Sequence, residues 1–331
     1  MKSGHFRVLR PVLFLVAVLA LSSLAPTWSH AQIARLEIHF IQTQSPTDQE
    51  FLTGRKDGKP ATIAGELQIP RLGTDRQPAV ILVHSSFGAS GLVDQWAREF
   101  NALGLATFIL DSFTGRGIVS TMNDQAQLGR LPMILDIYRA LELLGKHPRI
   151  DPARVAVMGF SRGGQATLYS SLKRFWGMHG AGGNLRLAAY IALYPSCDTT
   201  FAGDVDVADS PIRIFHGAAD DYVPVGPCRA YVDRLRRAGK DVSLTEYPDA
   251  HHVFDYPALK NPLKLPQAVT TRRCRLEEGP DGRIINSQTK QVFGYDDPCV
   301  ERGTTVAYHP QAHADAQKAI AEFLTTALKL K

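Results

Sequence analysis

Val155-Ala156-Val157-Met158-Gly159-Phe160-Ser161-Arg162-Gly163-Gly164 starts with four apolar residues and passes, through a Gly-x-Ser-x-Gly pentapeptide, into a segment of helical spacing from Gln165 to Phe175. An apolar run of that length reads as a buried strand, and a strand running directly into a helix around a serine has a mechanical meaning. The turn forces the serine into a strained backbone, and small flanking residues let strand and helix come close enough to permit it. Ser161 is thus expected to project from the rim of a sheet at a helix N-terminus. There the dipole and free backbone N–H groups favour negative charge as it develops. A glycine-rich turn with an incidental serine would look the same in isolation, so the surroundings matter.

Outward from this turn the pattern repeats. Ala79 to Val83 is an apolar run entering His84-Ser85-Ser86-Phe87-Gly88, and Ala106 to Leu110 ends at Asp111. Leu187 to Leu193, Ile212 to Phe215 and Val242 to Tyr247 read as further strands, with edge strands over Leu36 to Thr43 and Thr62 to Ile69. Helical spacing marks Leu92 to Leu103, Leu131 to Leu144, Arg229 to Ala238 and Ala312 to Leu330. Short apolar strands alternating with longer helices predict an α/β fold, a mostly parallel sheet with helices on both faces. Ligands in such sheets bind beyond the carboxyl ends of the strands, which puts the loops after residues 83, 110, 158, 193, 215 and 247 on one rim. Residues 257–305 lack strong periodicity and carry a Gly279-Pro280-Asp281-Gly282 turn. They read as an insertion into a single domain, not as a second domain.

A serine hydroxyl needs a base, and the base needs an orienting carboxylate. Both are expected on later rim loops, acid before histidine. After Ile212 to Phe215 comes His216-Gly217-Ala218-Ala219-Asp220-Asp221-Tyr222-Val223-Pro224, whose Gly-x-x-Asp-x-x-Val-Pro pattern selects Asp220, with Asp221 the neighbouring alternative. After Val242 to Tyr247 comes Pro248-Asp249-Ala250-His251-His252-Val253-Phe254. An aromatic two residues after the base selects His252, with His251 the alternative. Two backbone donors must hold the oxyanion, and the expected ones are the N–H groups of Arg162 and Ser86. Phe87, beside Ser86, is a candidate substrate contact. His309 and His313 stand at i, i+4 without a third ligand nearby, so no metal is expected there.

The chain has 331 residues and a formal net charge of +5. Lys2, Arg7 and Arg10 precede an unbroken apolar run from Val12 to Leu21, and Ser29-His30-Ala31 offers small residues where a signal peptidase reads. Residues 1–31 therefore read as a secretory signal, too short in its apolar part for the roughly 20 residues of a spanning helix. Cleavage after Ala31 would leave residues 32–331 as one domain, periplasmic or secreted, without stable membrane insertion, and a net charge of +2. So small a charge does not suggest a nucleic-acid partner. Four cysteines in an exported chain favour disulfides, expected as Cys197–Cys228 and Cys274–Cys299, the second closing the insertion.

Taken as an ordered set, Val-His-Ser-Ser-Phe-Gly at 83–88, Asp111-Ser112-Phe113-Thr114-Gly115-Arg116-Gly117, Gly159-Phe160-Ser161-Arg162-Gly163-Gly164 and the loops at Asp220 and His252 resemble the dienelactone hydrolase branch of the α/β-hydrolases. The resemblance runs from about residue 79 to 256 and implies the α/β-hydrolase fold and cofactor-free hydrolysis of a small-molecule ester or lactone. Two features depart from it: the type enzymes use a cysteine nucleophile and are typically intracellular. Arg116 then has two readings, a guanidinium that receives a substrate carboxylate, or one that pairs with Asp111 or tethers its own loop. A peptidase of the prolyl-oligopeptidase type, a polymer-directed (acetyl-xylan or polyester) esterase and a decayed hydrolase that only binds ligand are the alternatives.

Overall fold

The computed structural model describes Met1 and residues 33–330. The expected signal and its cleavage site after Ala31 lie, but for Met1, outside the described residues. Among the described residues, nine strands precede the insertion: β1 (Arg35–Ser45), β2 (Lys59–Ile69), β3 (Gln77–Val83), β4 (Ala106–Asp111), β5 (Ile150–Phe160), β6 (Ala189–Leu193), the two-residue β7 (Thr199–Thr200), β8 (Ile212–Gly217) and β9 (Val242–Tyr247). All but β7 form one sheet of order β1-β2-β4-β3-β5-β6-β8-β9. The first two pairings are antiparallel and the rest parallel. The mostly parallel sheet expected from the sequence is what the chain forms.

Helices α1 (Asp48–Leu52), α2 (Gly91–Ala102), α3 (Pro132–Lys146), α4 (Arg162–Tyr169), α5 (Lys173–His179), α6 (Gly226–Arg237) and α7 (Pro310–Ala327) cover the two faces. The central strand β3 is apolar from Pro78 to Val83 because both of its faces are buried. Ala79, Ile81 and Val83 join the core that holds residues of α3 to α6, whereas Val80 and Leu82 join the one with α2 and α7. Burying each large apolar side chain stabilises the fold by about 1.5–3 kcal/mol relative to exposure.

Two elements differ from the sequence reading. The helix expected from Gln165 to Phe175 is two helices, α4 and α5. The Ser170 and Ser171 hydroxyls donate to the Thr167 and Leu168 carbonyls, and Leu172 takes extended backbone and bridges to Val207. Local hydroxyl-to-backbone bonds of this kind compete with the helical ladder. Helix α1 had no counterpart in the reading because five residues are too few for a period. Its mark is a capping box, in which Thr47 Oγ1 accepts from the Glu50 N–H and the Glu50 carboxylate from the Thr47 N–H.

Between α6 and α7, beyond β9, the chain adds β10 (Leu263–Thr270), β11 (Leu276–Glu278), β12 (Ile284–Asn286) and β13 (Glu301–Val306). β10 pairs antiparallel with β13, and β11 lies between β12 and the short β7. Disulfides join Cys197 to Cys228 and Cys274 to Cys299. Among the described residues, no helix is long and apolar enough to cross a membrane.

The Cys274–Cys299 bridge spans 25 residues of sequence. Closing a loop of that size removes unfolded-state entropy worth about 3 kcal/mol. The double variant Cys274→Ala/Cys299→Ala is expected to lose stability of that order in urea denaturation, whereas an unchanged midpoint would mean that packing alone holds the segment.

Candidate active site

Strand β5 enters α4 through Ser161, which has φ 53° and ψ −111°. A side chain rarely adopts that backbone, and its neighbours allow it only by having none. A Cβ at Gly159 would stand 2.1 Å from the Gly163 carbonyl oxygen, and one at Gly163 would stand 2.2 Å from the Val83 oxygen. Three of the other described non-glycine residues with positive φ, namely Tyr194, Asp249 and Val253, lie in the neighbouring rim loops. Such strain clusters where a site is held in one geometry.

The Ser161 hydroxyl donates to His252 Nε2 at 2.9 Å, and His252 Nδ1 donates to Asp220 Oδ2 at 2.6 Å. The other oxygen of Asp220 accepts from the N–H groups of Tyr222 and Val223 at 2.9 and 2.8 Å, which fixes the carboxylate behind the ring. The acid and histidine loops run in contact: a Cβ at Gly217 would stand 2.2 Å from the Ala250 oxygen. Ala219 N–H donates to that same oxygen at 3.0 Å. Ser161, Asp220 and His252 are all buried, the serine retaining 8 % exposure.

The two alternatives lie elsewhere. Asp221 accepts from the Thr305 N–H and hydroxyl at 2.8 and 3.0 Å, so it clamps β13. His251 Nδ1 is buried with no partner among the described residues, and its ring joins no hydrogen bond to Ser161. Arg162 opens α4, where the first N–H groups have no helical acceptor. Its guanidinium turns away and donates to the Gln125 side chain at 2.6 Å and to the Leu128 and Gly129 carbonyls. Ser86 has its carbonyl held by the Thr121 N–H and its hydroxyl by Gln125 Nε2. Among the described residues, neither the Ser86 nor the Arg162 N–H meets an acceptor, and both residues line the cavity beside Ser161. Phe87 is 39 % exposed at the mouth of a neighbouring cavity.

For Arg116 the contacts fit the tether rather than a free guanidinium awaiting a carboxylate. Its guanidinium is buried and donates to both oxygens of Asp136 at 2.7 and 2.9 Å, to Ser45 Oγ, and to the carbonyls of Ser112 and Gln44. The partner is therefore Asp136, not Asp111, whose carboxylate instead caps the Phe113 and Thr114 N–H groups. Every donor of the fork is spent on holding the rim loop to β1 and α3.

Several contributors left little trace in the sequence. Tyr194 packs edge-on against the His252 ring at 4.6 Å between centroids, and Tyr222 packs at 4.8 Å. The Tyr194 hydroxyl donates to Asp255, which also accepts from Trp96 Nε1 at 2.7 Å. Burial pushes the Asp255 carboxyl up to about 6. Burial likewise pulls the His84 imidazole down. The neutral ring accepts from the Ser112 N–H and donates to the Ser85 carbonyl, tying the loops after β3 and β4 together. From the insertion, Thr271 and Tyr295 wall the cavity beside Ser161.

For metal binding, His309 is engaged as the cap of α7, and His313 Nε2 faces Gln95 at 3.0 Å. Glu37, His39 and His147 bring ligand atoms within 4.8 Å of one another at the sheet edge. There the Arg149 N–H donates to His147 Nδ1, and Glu37 Oε2 accepts from both rings, so the facing nitrogens of the two rings are already engaged.

A model of the dienelactone hydrolase family matches residues 63–328. Over 107 residues the chain is 32% identical to acyl-protein thioesterase 1 of Gibberella zeae, a stretch covering 31% of this chain and 43% of that protein. The match thus spans less than half of that relative's length. Among solved structures, a dienelactone hydrolase-like promiscuous phosphotriesterase from metagenomic libraries aligns over 88% of this chain and 98% of its own at 19% identity and a TM-score of 0.56. An α/β hydrolase from a Medee basin deep-sea metagenome library aligns over 89% and 99% at 15% identity and a TM-score of 0.51. These two likenesses speak for the fold.

Breaking a buried ion pair from one side typically costs 3–5 kcal/mol. Arg116→Ala is expected to destabilise the protein by about that much in urea denaturation. An unchanged midpoint with a raised KM for carboxylated esters would return Arg116 to a substrate-binding role. Asp255 titrates in the opposite sense from a paired carboxylate: its folded pKa lies above its unfolded one, so stability falls as pH rises through both values. Between about pH 4 and about pH 7, Asp255→Asn should gain on the wild type by on the order of 2 kcal/mol, and a gap independent of pH would refute the raised carboxyl.

Proposed function

This chain belongs to the dienelactone hydrolase family, and from that premise we propose that it hydrolyses carboxylic esters or lactones through an acyl-enzyme formed on Ser161. The observation that supports this most directly is the unbroken hydrogen-bond chain from Asp220 through His252 to the Ser161 hydroxyl. In this reading His252 takes the Ser161 proton as the oxygen attacks the acyl carbon, and Asp220 stabilises the resulting imidazolium. The N–H groups of Ser86 and Arg162 receive the oxyanion. His252 then protonates the leaving alcohol, whose C–O bond breaks, and activates the water that releases the acid.

The buried setting favours the chemistry. Fixed dipoles act on the oxyanion far more strongly in a water-poor site than in bulk solvent, and removing one such donor typically costs ~3–4 kcal/mol. No step needs a cofactor, because proton transfer and charge stabilisation account for acyl transfer. We also read residues 32–331 as one exported domain. Its two disulfides are compatible with an oxidising compartment.

A fluorophosphonate probe should label the wild type and leave Ser161→Ala unlabelled. On p-nitrophenyl acetate, Asp220→Asn should lower kcat by about 10⁴-fold through loss of the working imidazole tautomer. An unlabelled but folded wild type, or a fully active Ser161→Ala, would end this reading.

A further inference from the structure

We infer that the substrate joins a small polar acid to an apolar alcohol, the acid half lying in the polar cavity beside Ser161 and the alcohol half in the apolar cavity beside His252. This rests on the reading that Ser161 attacks an ester. The two halves must part at the reacting carbon. The leaving oxygen has to reach His252 Nε2 to be protonated, while the acyl carbon sits over Ser161 Oγ with its oxygen toward the N–H groups of Ser86 and Arg162. The alcohol therefore departs on the side of His252 and the acyl substituent extends the other way.

The cavities on these two sides differ in chemistry. The one that Ser161, Ser86 and Arg162 line measures about 50 Å³ and has room for only a few solvent-sized groups, and the His252 ring itself lines neither cavity. Its remaining walls include Gln125, Arg130, Gln165, Tyr222, Thr271 and Tyr295, and among the described residues Val223 and Val269 are its only aliphatic side chains. Its walls therefore carry hydroxyl, amide, phenol and guanidinium groups beside the two valines. An alkyl chain laid against such groups offers them no hydrogen bond in place of solvent, at a typical cost of ~1–3 kcal/mol for each polar group left unpaired. A short acyl group bearing a hydroxyl or other oxygen meets the same wall as an acceptor.

On the other side, Val253 follows His252 directly and Val306 bridges to it. Both line a cavity of about 120 Å³ whose other walls include Phe87, Leu92, Tyr256 and Leu263. Among the described residues, Ser85 and Ser90 are its only small polar lining, so an alkyl or aryl alcohol gains burial there at little desolvation cost. The turn that carries Ser86 separates the two cavities, with Ser85 and Phe87 in the apolar wall and Ser86 in the polar one.

Hexyl acetate and ethyl hexanoate are isomers that place the long alkyl chain, hexyl or pentyl, on opposite halves, which makes them the direct test. With purified protein in a pH-stat, kcat/KM for hexyl acetate should exceed that for ethyl hexanoate by at least about tenfold, since even one methylene in a fitted pocket is worth roughly tenfold or more. Hexyl glycolate should be cleaved at least as well as hexyl acetate. Leu263→Glu places a charge at the rim of the apolar cavity from a half-exposed position, and should lower the ratio of hexyl acetate to ethyl acetate by about tenfold. Equal rates for the two isomers, or a preference for the hexanoate, with p-nitrophenyl acetate still hydrolysed and the fluorophosphonate label intact, overturn this inference alone. No hydrolysis of any ester together with no labelling overturns the reading beneath it as well. If Leu263→Glu fails to fold, the wild-type isomer ratio decides by itself.

Discussion

The close approach of β5 and α4 to the end of β3 is the constraint on which the rest of this molecule depends. Ser161 can hold a left-handed backbone at the rim only because Gly159 and Gly163 leave space where a methyl would collide with main-chain oxygens of Gly163 and Val83. That turn sets the hydroxyl at the carboxyl end of a central strand and its N–H neighbours at the start of a helix. The loops after β8 and β9 then need only reach the same rim. They do so jointly, since Gly217 lies against the Ala250 carbonyl and Ala219 donates to it.

Around this turn, buried arginines act as fasteners. Arg116 holds the loop after β4 to Asp136 on α3, Arg130 pairs with Asp198, and Arg162 gathers the carbonyls of Leu128 and Gly129. A buried charge is tolerated where it is paired or its donors are met: Arg116 and Arg162 spend several donors on main-chain carbonyls, and Arg130 is held by the Asp198 carboxylate. The insertion is fastened in the same way. Arg272 donates to the Asp221 and Gly303 carbonyls, Thr270 to the Tyr222 carbonyl, and Asp221 receives Thr305. The segment that walls the Ser161 cavity is thus tied to the loop that carries Asp220, so the width of the cavity and the position of the acid depend on the same contacts.

Behind His252, a second layer restricts the ring. Tyr194 reaches it from a strained backbone and is itself anchored on Asp255, which Trp96 holds from α2. The carboxyl there is uncomfortable when charged, as its raised pKa records. The cost falls on stability, and the return is an imidazole whose orientation is set from two sides, by Asp220 through Nδ1 and by aromatic packing on its face. Rigid support of this kind keeps a site in its working geometry.

What was legible in the sequence is what local order encodes. Apolar runs of strand length, helical spacing between them, and loop signatures after each strand were enough to give the parallel sheet with helices on both faces. They were also enough to put Ser161, Asp220 and His252 in order along one rim. Neighbouring residues report such features because backbone period and turn chemistry act over a few positions. Tertiary structure alone decided which carboxylate meets Arg116, that Asp221 serves the insertion rather than the ring, and that Thr271 and Tyr295 stand over Ser161. It also broke the helix after Tyr169, where Leu172 bridges to Val207. Those outcomes are choices among distant partners, made by packing and by the need to satisfy buried polar groups, and no short stretch of chain carries that information.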